Sequence, residues 1–399
     1  MIPRPALAAI LFSASCAAAC GASRPVDSGW THKPGVSVLR LRWVKRLAPP
    51  LPNFLLPELV EQHDRFHPLE TASAAFDTDM KRAFIGASIG GFYCIALFDG
   101  ATVWRFDLNH AVGGRPLYDA RRKHVYFGAD DGLLYALHAR SGRLLWSIDL
   151  GAEVRREIYQ QEGTLYFATA DNAVYAVDAD SGKVVWQYRR PPMEGFTAAG
   201  YADVVVEKSR IITSFSDGVV VAIDAQEGSE LWTRDLAAEV TPATTTGAVD
   251  LMDADATPCL AGGRLVGASV AGGVYGLDAA DGSVAWTRPD VKGVSGLAAD
   301  SGTVYAARSG FGVTALDPTT GSTIWERAFA AGMLQDPLLH DDVLILSDSV
   351  AGLYVVSAGS GDLLQRIDLR DGFFARPSAY AGYLLVMANG GTLIGMSVL

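Results

Sequence analysis

The sequence predicts an all-β chain folded as an eight-bladed β-propeller with four-stranded blades, whose last blade is closed by the N-terminal strand. Three observations predict this fold: a repeat of roughly 40 residues, short strand-like runs separated by turn residues, and incomplete repeats at both ends of the sequence. The chain has 399 residues and 49% hydrophobic content, enough for a large buried core.

The repeat is clearest in YAVDADSGKVVW, residues 175–186, which returns as YALHARSGRLLW, VAIDAQEGSELW, YGLDAADGSVAW and TALDPTTGSTIW. A Gly precedes each Trp by four residues. The Trp residues of the whole repeats are Trp104, Trp146, Trp186, Trp232, Trp286 and Trp325. Gln365 stands where the next Trp is expected. Trp43 and the strand-like carboxyl-terminal stretch are two half repeats, and joining them in one sheet would remove the open edges of the ring.

The repeated residues are predicted to have structural roles. The Gly is expected to adopt a positive φ in a turn, where the Asp four residues earlier accepts hydrogen bonds from the turn amides. A small residue recurs after the Tyr position in every unit, so the repeated Trp is expected to lie across it, between blades. These small residues are Cys94, Ala136, Ala176, Ala222, Gly276, Ala315, Val355 and Gly395. The position of Gln365 is expected to leave a slot that Trp would fill.

Residues 1–19 are predicted to be an export signal. Arg4 supplies a short positive region, ALAAILFSA an apolar run, and AAAC ends the segment with small residues. The apolar run is too short to span a bilayer stably.

Small residues before Cys20, and Gly21 after it, resemble the lipobox of bacterial lipoproteins. This pattern predicts that Cys20 is lipidated. Cys16 is a second candidate, and a plain secretory signal is the alternative. Residues 20–35 then form a lipidated tether and residues 36–399 the propeller, held at a membrane surface by its lipid anchor only.

Composition and isolated motifs exclude several functions. A net charge of −11 without a long run of Lys and Arg gives no footprint for nucleic acid. Cys94 and Cys259 lie in apolar stretches and are expected to be buried thiols. Ser88 in GASIG has the letters of a nucleophile elbow, but a strand-like run follows it where that motif needs a helix. His63 and His67 have no third ligand placed by the sequence, so neither a metal nor a cofactor is predicted.

Two insertions lengthen the repeats that end at Trp104 and Trp286. Extra residues in a propeller go into loops, and binding tends to reside in loops on a rigid scaffold. The second insertion includes residues 241–258, which contain Asp253 and Asp255. An acidic loop that is merely solvated is the alternative interpretation.

The chain resembles bacterial PQQ-type eight-bladed propellers and, within them, the BamB family of lipoproteins of the outer-membrane β-barrel assembly machine. The resemblance runs from about residue 36 to the end. It rests on AVDLMDADATP, FHPLE and the closing GFFARPSAYAGYLLVMANGGTLIGM.

The resemblance implies a non-enzymatic scaffold at the periplasmic face of the outer membrane, which docks on a POTRA domain of a BamA-type barrel inserter. Asp253 and Asp255 match the family's two docking aspartates. In the neighbouring contact loop, RRPPMEGF, Glu194 stands where the family has Arg, and Arg190 and Met193 are the candidate substitutes.

Two other functions stay open. Quinoprotein dehydrogenases use the same repeat, but they are longer and typically carry an adjacent Cys pair and a calcium site; this sequence has no adjacent Cys pair and no placeable calcium ligands. A periplasmic sensor or carbohydrate-binding propeller is the other possibility, because a pocket at the axis need show no motif.

Overall fold

The protein consists of antiparallel β-sheets arranged as the blades of a ring. A computed structural model describes residues 37–47, 69–191, 202–236, 256–269, 272–368 and 372–399, which contain strands β1 to β32. These strands form eight four-stranded sheets. Within the described ranges, no helix has the length and apolar character of a membrane span.

Seven blades are made of four strands that follow one another in the chain. Blades 1 to 4 consist of β2 (Ala75–Asp77), β3 (Arg82–Gly86), β4 (Phe92–Ala96) and β5 (Thr102–Phe106); β6 (Leu117–Asp119), β7 (His124–Gly128), β8 (Leu133–His138) and β9 (Leu144–Asp149); β10 (Tyr159–Gln161), β11 (Thr164–Thr169), β12 (Ala173–Asp178) and β13 (Val184–Arg189); β14 (Val205–Glu207), β15 (Arg210–Ser214), β16 (Val219–Asp224) and β17 (Glu230–Asp235). Blades 5 to 7 consist of β18 (Cys259–Ala261), β19 (Arg264–Ser269), β20 (Gly273–Leu277) and β21 (Val284–Arg288); β22 (Val294–Ala299), β23 (Val304–Arg308), β24 (Gly312–Leu316) and β25 (Thr323–Ala328); β26 (Leu338–His340), β27 (Val343–Asp348), β28 (Gly352–Ser357) and β29 (Leu363–Ile367). The first strand of a blade is innermost, since β18, β22, β26 and β30 contact one another in turn.

The N-terminal strand completes blade 8, as the sequence predicts. This blade has the order β1 (Leu39–Arg46), β32 (Thr392–Val398), β31 (Tyr383–Ala388) and β30 (Ser378–Tyr380), with β1 outermost. The pairing runs antiparallel from Leu39 opposite Val398 to Arg46 opposite Thr392. The two ends of the fold are therefore joined in one sheet, and the ring has no open blade.

The hydrophobic core is divided among the seams between neighbouring blades. The described residues form eight buried apolar clusters, and each cluster joins side chains of two adjacent blades. Both faces of every sheet are thus covered, which explains why the middle strands are apolar almost throughout.

Each repeated Trp lies opposite the small residue of its own blade and covers the Gly turn of the next. Cross-strand partners are Ala176 and Trp186 in blade 3, and Gly276 and Trp286 in blade 5. The seven turn glycines have φ between +69° and +74°, and a Cβ at any of them would lie 2.5–2.7 Å from an atom of the preceding blade's indole. The indole N–H groups donate to carbonyl oxygens at 2.9–3.3 Å: Trp43 to Leu97, Trp104 to Ala139, Trp146 to Ala179, Trp186 to Ala225, Trp232 to Ala279, Trp286 to Pro318 and Trp325 to Ala358.

The seam between blades 7 and 8 is built differently, and the expectation of a vacant Trp slot at Gln365 is wrong. The Gln365 Oε1 accepts hydrogen bonds from the backbone N–H groups of Val38 and Leu39 at 2.9 and 2.7 Å. Its Nε2 donates to the Leu39 carbonyl at 2.9 Å. Blade 8 has no Gly turn between its two outer strands, because β1 and β32 come from opposite ends of the fold, so an indole would have no turn to cover.

Candidate functional site

The strand ends that are joined between one blade and the next lie on one face of the ring, which we call the loop face. Antiparallel order places the hairpins between second and third strands on the same face. Backbone hydrogen bonds join the ends of the outermost strands to these hairpins: the Leu150 N–H donates to the Gly132 carbonyl, and the Leu236 N–H to the Gly218 carbonyl. The opposite face carries the Gly turns. Both predicted insertions attach to the loop face, between β1 and β2 and between β17 and β18.

The mouth of the propeller axis on the loop face is lined by one polar residue from each blade. In seven blades this residue stands two positions before the first paired residue of the innermost strand. In blade 6 the innermost strand already pairs at Val294, and Ser295 is the residue at which its register shifts. We call this set the axis ring. Its members are Ser73, Arg115, Glu157, Asp203, Thr257, Ser295, Asp336 and Arg376.

Hydrogen bonds within the axis ring join neighbouring blades. The Asp203 carboxylate accepts from the Glu157 backbone N–H at 2.7 Å and from the Thr257 hydroxyl at 3.1 Å. The Asp203 N–H donates in turn to the Thr257 hydroxyl oxygen at 3.0 Å. The Ser73 hydroxyl donates to the Arg376 carbonyl at 3.0 Å. These polar side chains therefore hold one another and the entry of each innermost strand.

Opposite charges in the axis ring face one another. Arg115 Nη1 lies 2.7 Å from Glu157 Oε1, and Arg376 Nη1, three blades away, lies 4.0 Å from Glu157 Oε2. Burial raises the pKa of Glu157; Arg115 opposes this increase, whereas Asp203 adds to it. Burial also raises the pKa of Asp336, again opposed by Arg376. The two arginines thus offset two of the three acidic charges of the axis ring.

Sequence reasoning missed the axis ring because its members share a position but no residue type. One signal could have found it: Pro follows directly after Arg115, Thr257, Asp336 and Arg376. Pro favours the extended conformation in the residue before it, as entry into a strand requires.

Arg190 is the one predicted partner-binding residue within the described ranges, and it is engaged inside the protein. Its Nη2 and Nε lie 2.8 and 3.1 Å from the Asp217 carboxylate, and its guanidinium carbon lies 5.9 Å from the centre of the Phe215 ring. Its backbone N–H donates to Asn172. The Arg190 side chain, 22% exposed, thus fixes the end of blade 3 against blade 4, directly before the contact loop.

Blade 7 presents two exposed apolar side chains on the loop face, Met333 (45% exposed) and Val350 (65%). The fully buried Asp348 carboxylate fixes the backbone around them, and the Ser349 hydroxyl accepts from Met333 N–H at 2.9 Å. Asp348 accepts 2.8–3.1 Å bonds from the N–H groups of Ala331, Gly332, Val350 and Ala351. This turn is a preorganised apolar surface that the sequence did not reveal.

The other predicted lipidation and partner-binding residues are not among those that the structure describes. Cys20, Met193, Asp253 and Asp255 lie outside the described residues, as do His63 and His67. These assignments stay predictions.

The Ser of the GASIG motif and the two cysteines of the propeller are each held by contacts within the fold. Ser88 lies in the turn between β3 and β4, where its hydroxyl donates to the buried Glu70 at 2.6 Å. Cys94 is buried as expected, whereas Cys259 is only half-buried. Burial raises the pKa of both thiols to about 12, so both are protonated at neutral pH. Among the described residues, no three His, Cys, Asp or Glu side chains are grouped to hold a metal ion.

A family model described as "Outer membrane protein assembly factor BamB" matches residues 93–327 and 309–399. Curated relatives carry the same description. The protein from Pseudomonas aeruginosa PAO1 is 25% identical over 205 residues, covering 51% of this chain and 53% of the relative. That from Escherichia coli K12 is 26% identical over 185 residues, covering 45% of this chain and 46% of the relative. The chain spans about half the length of the curated relatives it matches.

Solved structures share the propeller fold. BamB from Moraxella catarrhalis superposes with a TM-score of 0.69 at 19% identity, covering 90% of this chain and 100% of that chain. A quinohemoprotein alcohol dehydrogenase from Pseudomonas putida HK5 reaches 0.63 at 15% identity, covering 90% of this chain and 76% of that chain. At such identities the likeness concerns the fold alone, and one fold serves many functions. The family model, by contrast, matches well over half of the sequence, and the chain therefore belongs to the BamB family of outer-membrane protein assembly factors.

Proposed function

We propose that this protein is a non-enzymatic periplasmic scaffold of outer-membrane β-barrel protein assembly, which docks on the POTRA domains of a BamA-type barrel inserter. The observation that carries the proposal is the family match over residues 93–399. The attachment of both long connections to strand ends on the loop face supports docking by surface loops.

The proposed docking surface surrounds blade 4 on the loop face. Segment 192–201, with Met193, and segment 237–255, with Asp253 and Asp255, join blade 4 to blades 3 and 5. Asp253 and Asp255 would meet donors on the partner. Arg190 would act indirectly, because its bond to Asp217 fixes the start of the first segment.

A titration of the purified propeller with the periplasmic domains of its own barrel inserter tests this surface. Replacing both Asp253 and Asp255 by Arg turns attraction into like-charge repulsion and should abolish binding. A single exposed pair contributes roughly 1 kcal/mol or less, so single Ala variants are expected to bind nearly as the native chain does.

A matched control reverses two acids on the opposite face, Glu227→Arg with Asp342→Arg, both exposed in turns. This variant should bind normally. Equal loss in both double variants would indicate a general charge effect rather than a docking surface. A native chain that does not bind any inserter domain, but does bind sugars, would favour the sensor function instead.

Anchoring through Cys20 at the periplasmic face of the outer membrane is the second part of the proposal. Cys20→Ser should release the folded protein into the soluble periplasm, and metabolic lipid label should disappear from it. Label that persists on this variant would move the anchor to Cys16, and a native chain without label would remove the lipid altogether.

A further inference from the structure

The outermost strand of blade 8 differs in charge from its seven counterparts. β1 reads LRLRWVKR, with four basic residues and no acid. The other outermost strands are TVWRF, LLWSID, VVWQYR, ELWTRD, VAWTR, TIWERA and LLQRI, none of which has more than one basic residue. This concentration of positive charge occurs in a chain whose net charge is −11.

The difference lies at positions that the repeat makes comparable. In every blade the register shifts at the residue just before the repeated Trp, or before Gln365 in blade 7, and this residue is the extra residue of a β-bulge. In blades 1 to 7 this residue is apolar: Val103, Leu145, Val185, Leu231, Ala285, Ile324 and Leu364. In β1 it is Arg42. A bulged residue on an outermost strand needs no charge to fold, so Arg42 calls for another reason.

The basic side chains of β1 are presented outward. Arg40 and Arg42 are exposed and form no ion pair with the part of the chain that the structure describes. Leu41 lies between these two arginines and Val44 follows two residues after Arg42. Each is 55% exposed. Lys45 is half-buried, and its ammonium donates to the Gly100 carbonyl at 2.9 Å.

The outer strands on either side of β1 are neutralised instead. In blade 1, Arg105 Nε lies 2.6 Å from the Asp107 carboxylate. In blade 7, Arg366 Nη2 lies 3.4 Å from Asp368. Arg40 and Arg42 are therefore unneutralised positive charges beside exposed apolar side chains, which matches a surface that is negative and has an apolar layer beneath.

The position of β1 in the chain points to the same surface. β1 begins at Leu39, and the predicted lipid attachment at Cys20 precedes Ser37 by a tether that spans at most about 60 Å when extended. Blade 8 is also diametrically opposite blade 4, which the proposed docking segments flank. An edge of blade 8 that faces the bilayer would place blade 4 on the far side of the ring from it.

We propose that the outer edge of blade 8 binds the surface of a bilayer containing anionic phospholipids, with Arg40 and Arg42 on the headgroups and Leu41 and Val44 at the acyl boundary. This contact adds to the lipid anchor of the proposed function, which it orients. One acyl chain gives marginal attachment, and a basic patch is a common second signal. Basic residues on edge strands also prevent edge-to-edge pairing, so the test must separate the two roles.

The experiment uses the chain from Gly21 onward, which contains every described strand and carries no lipid, so that its outcome is independent of Cys20. Co-sedimentation is measured with vesicles of phosphatidylethanolamine and phosphatidylglycerol, and with phosphatidylcholine vesicles alone. The native chain should partition onto the anionic vesicles only, and salt should weaken the binding. Arg40→Glu with Arg42→Glu should lower the partition coefficient about tenfold or more.

The charge-reversed edge remains charged, so it should resist edge pairing and stay monomeric, which separates the two roles. The matched control is Arg140→Glu with Arg143→Glu, an equal charge change at exposed residues of blade 2, and it should bind as the native chain does. Equal vesicle binding by the β1 variant and the native chain would overturn the proposal, as would a native chain that ignores anionic vesicles. Loss of inserter binding by the β1 variant, with vesicle binding intact, would assign the stripe to a protein partner.

Discussion

Seven of the eight seams of this propeller are closed by an indole, and one is closed by an amide. At the seven, Trp covers the turn glycine of the next blade and donates one hydrogen bond to a backbone carbonyl of that turn, as Trp186 does over Gly228 with the Ala225 carbonyl as acceptor. At the eighth, Gln365 makes three hydrogen bonds to the backbone of Val38 and Leu39. All eight seams bury apolar area, but at this one position the indole adds more of it, whereas the amide saturates polar backbone groups.

The comparison shows that the repeated Trp is specified by the blade that follows it. A Gly turn provides a flat backbone surface with no Cβ, which an aromatic ring can cover. Where the ring of blades is closed by β1, the turn is replaced by a strand that begins there, with free N–H and C=O groups that need partners. Gln365 supplies both a donor and an acceptor, which Trp cannot do.

Removal of an indole from an ordinary seam should have the largest effect. Trp186 is 8% exposed, and Trp186→Ala should lower the free energy of unfolding by about 3–5 kcal/mol, since it leaves a cavity between blades 3 and 4. Denaturant titration followed by fluorescence and circular dichroism measures the loss. An unchanged midpoint would show that the ring does not support the seam.

A double-mutant cycle sharpens this prediction. Gly228→Ala should also destabilise, because its Cβ would lie 2.6 Å from the Trp186 ring and its φ is +71°. In the Trp186→Ala background the steric part of that cost should disappear. The double variant should therefore lose less free energy of unfolding than the sum of the two single variants. Strict additivity would contradict the contact.

Exchanging the closing residue should have an intermediate effect. Gln365→Trp should destabilise the protein by about 1–3 kcal/mol, because the backbone groups of Val38 and Leu39 lose their partners and no turn receives the indole. Gln365→Ala is the control, and it should be similarly harmful. A variant with Trp at this position that matches or exceeds the native stability would restore the idea of a vacant slot. Limited proteolysis near residue 38 gives a second, local measurement.

The propeller could be predicted because its signal is repeated. The spacing of Gly and Trp is the same in unit after unit, and each small residue opposite the Trp is required by packing within one hairpin, as for Ala176. The role of Gln365 could not be predicted in this way. Its partners are 326 and 327 residues away, and only the closed ring brings them together.

The site was less accessible to sequence reasoning than the fold. The axis ring uses Ser, Arg, Glu, Asp and Thr at one position, because any side chain that can reach a neighbour's polar group satisfies the requirement. The ion pair of Arg190 was also hidden, because Asp217 follows 27 residues later on the next blade. Arg190 is thus bonded within its own chain, and its predicted part in partner binding stays a prediction.

The smallest expected effect concerns the Gly turns themselves, which differ in one capping residue. In blade 3 the Asp178 carboxylate accepts from the Ser181 hydroxyl at 2.6 Å and N–H at 2.8 Å, and these bonds lower the pKa of Asp178. In blade 2 the equivalent residue is His138. Asp178→Ala should lower the free energy of unfolding by about 1 kcal/mol or less at neutral pH, and His138→Asp should raise it by a similar amount.

The contribution of Asp178 should also depend on pH. Since its folded pKa lies below the unfolded value, the stabilisation is complete above pH ~4 and is lost as the pH falls through the folded pKa. The melting temperatures of the native chain and of Asp178→Ala should therefore differ at neutral pH and converge in acid. A difference that does not change with pH would mean that the carboxylate charge does not hold the turn.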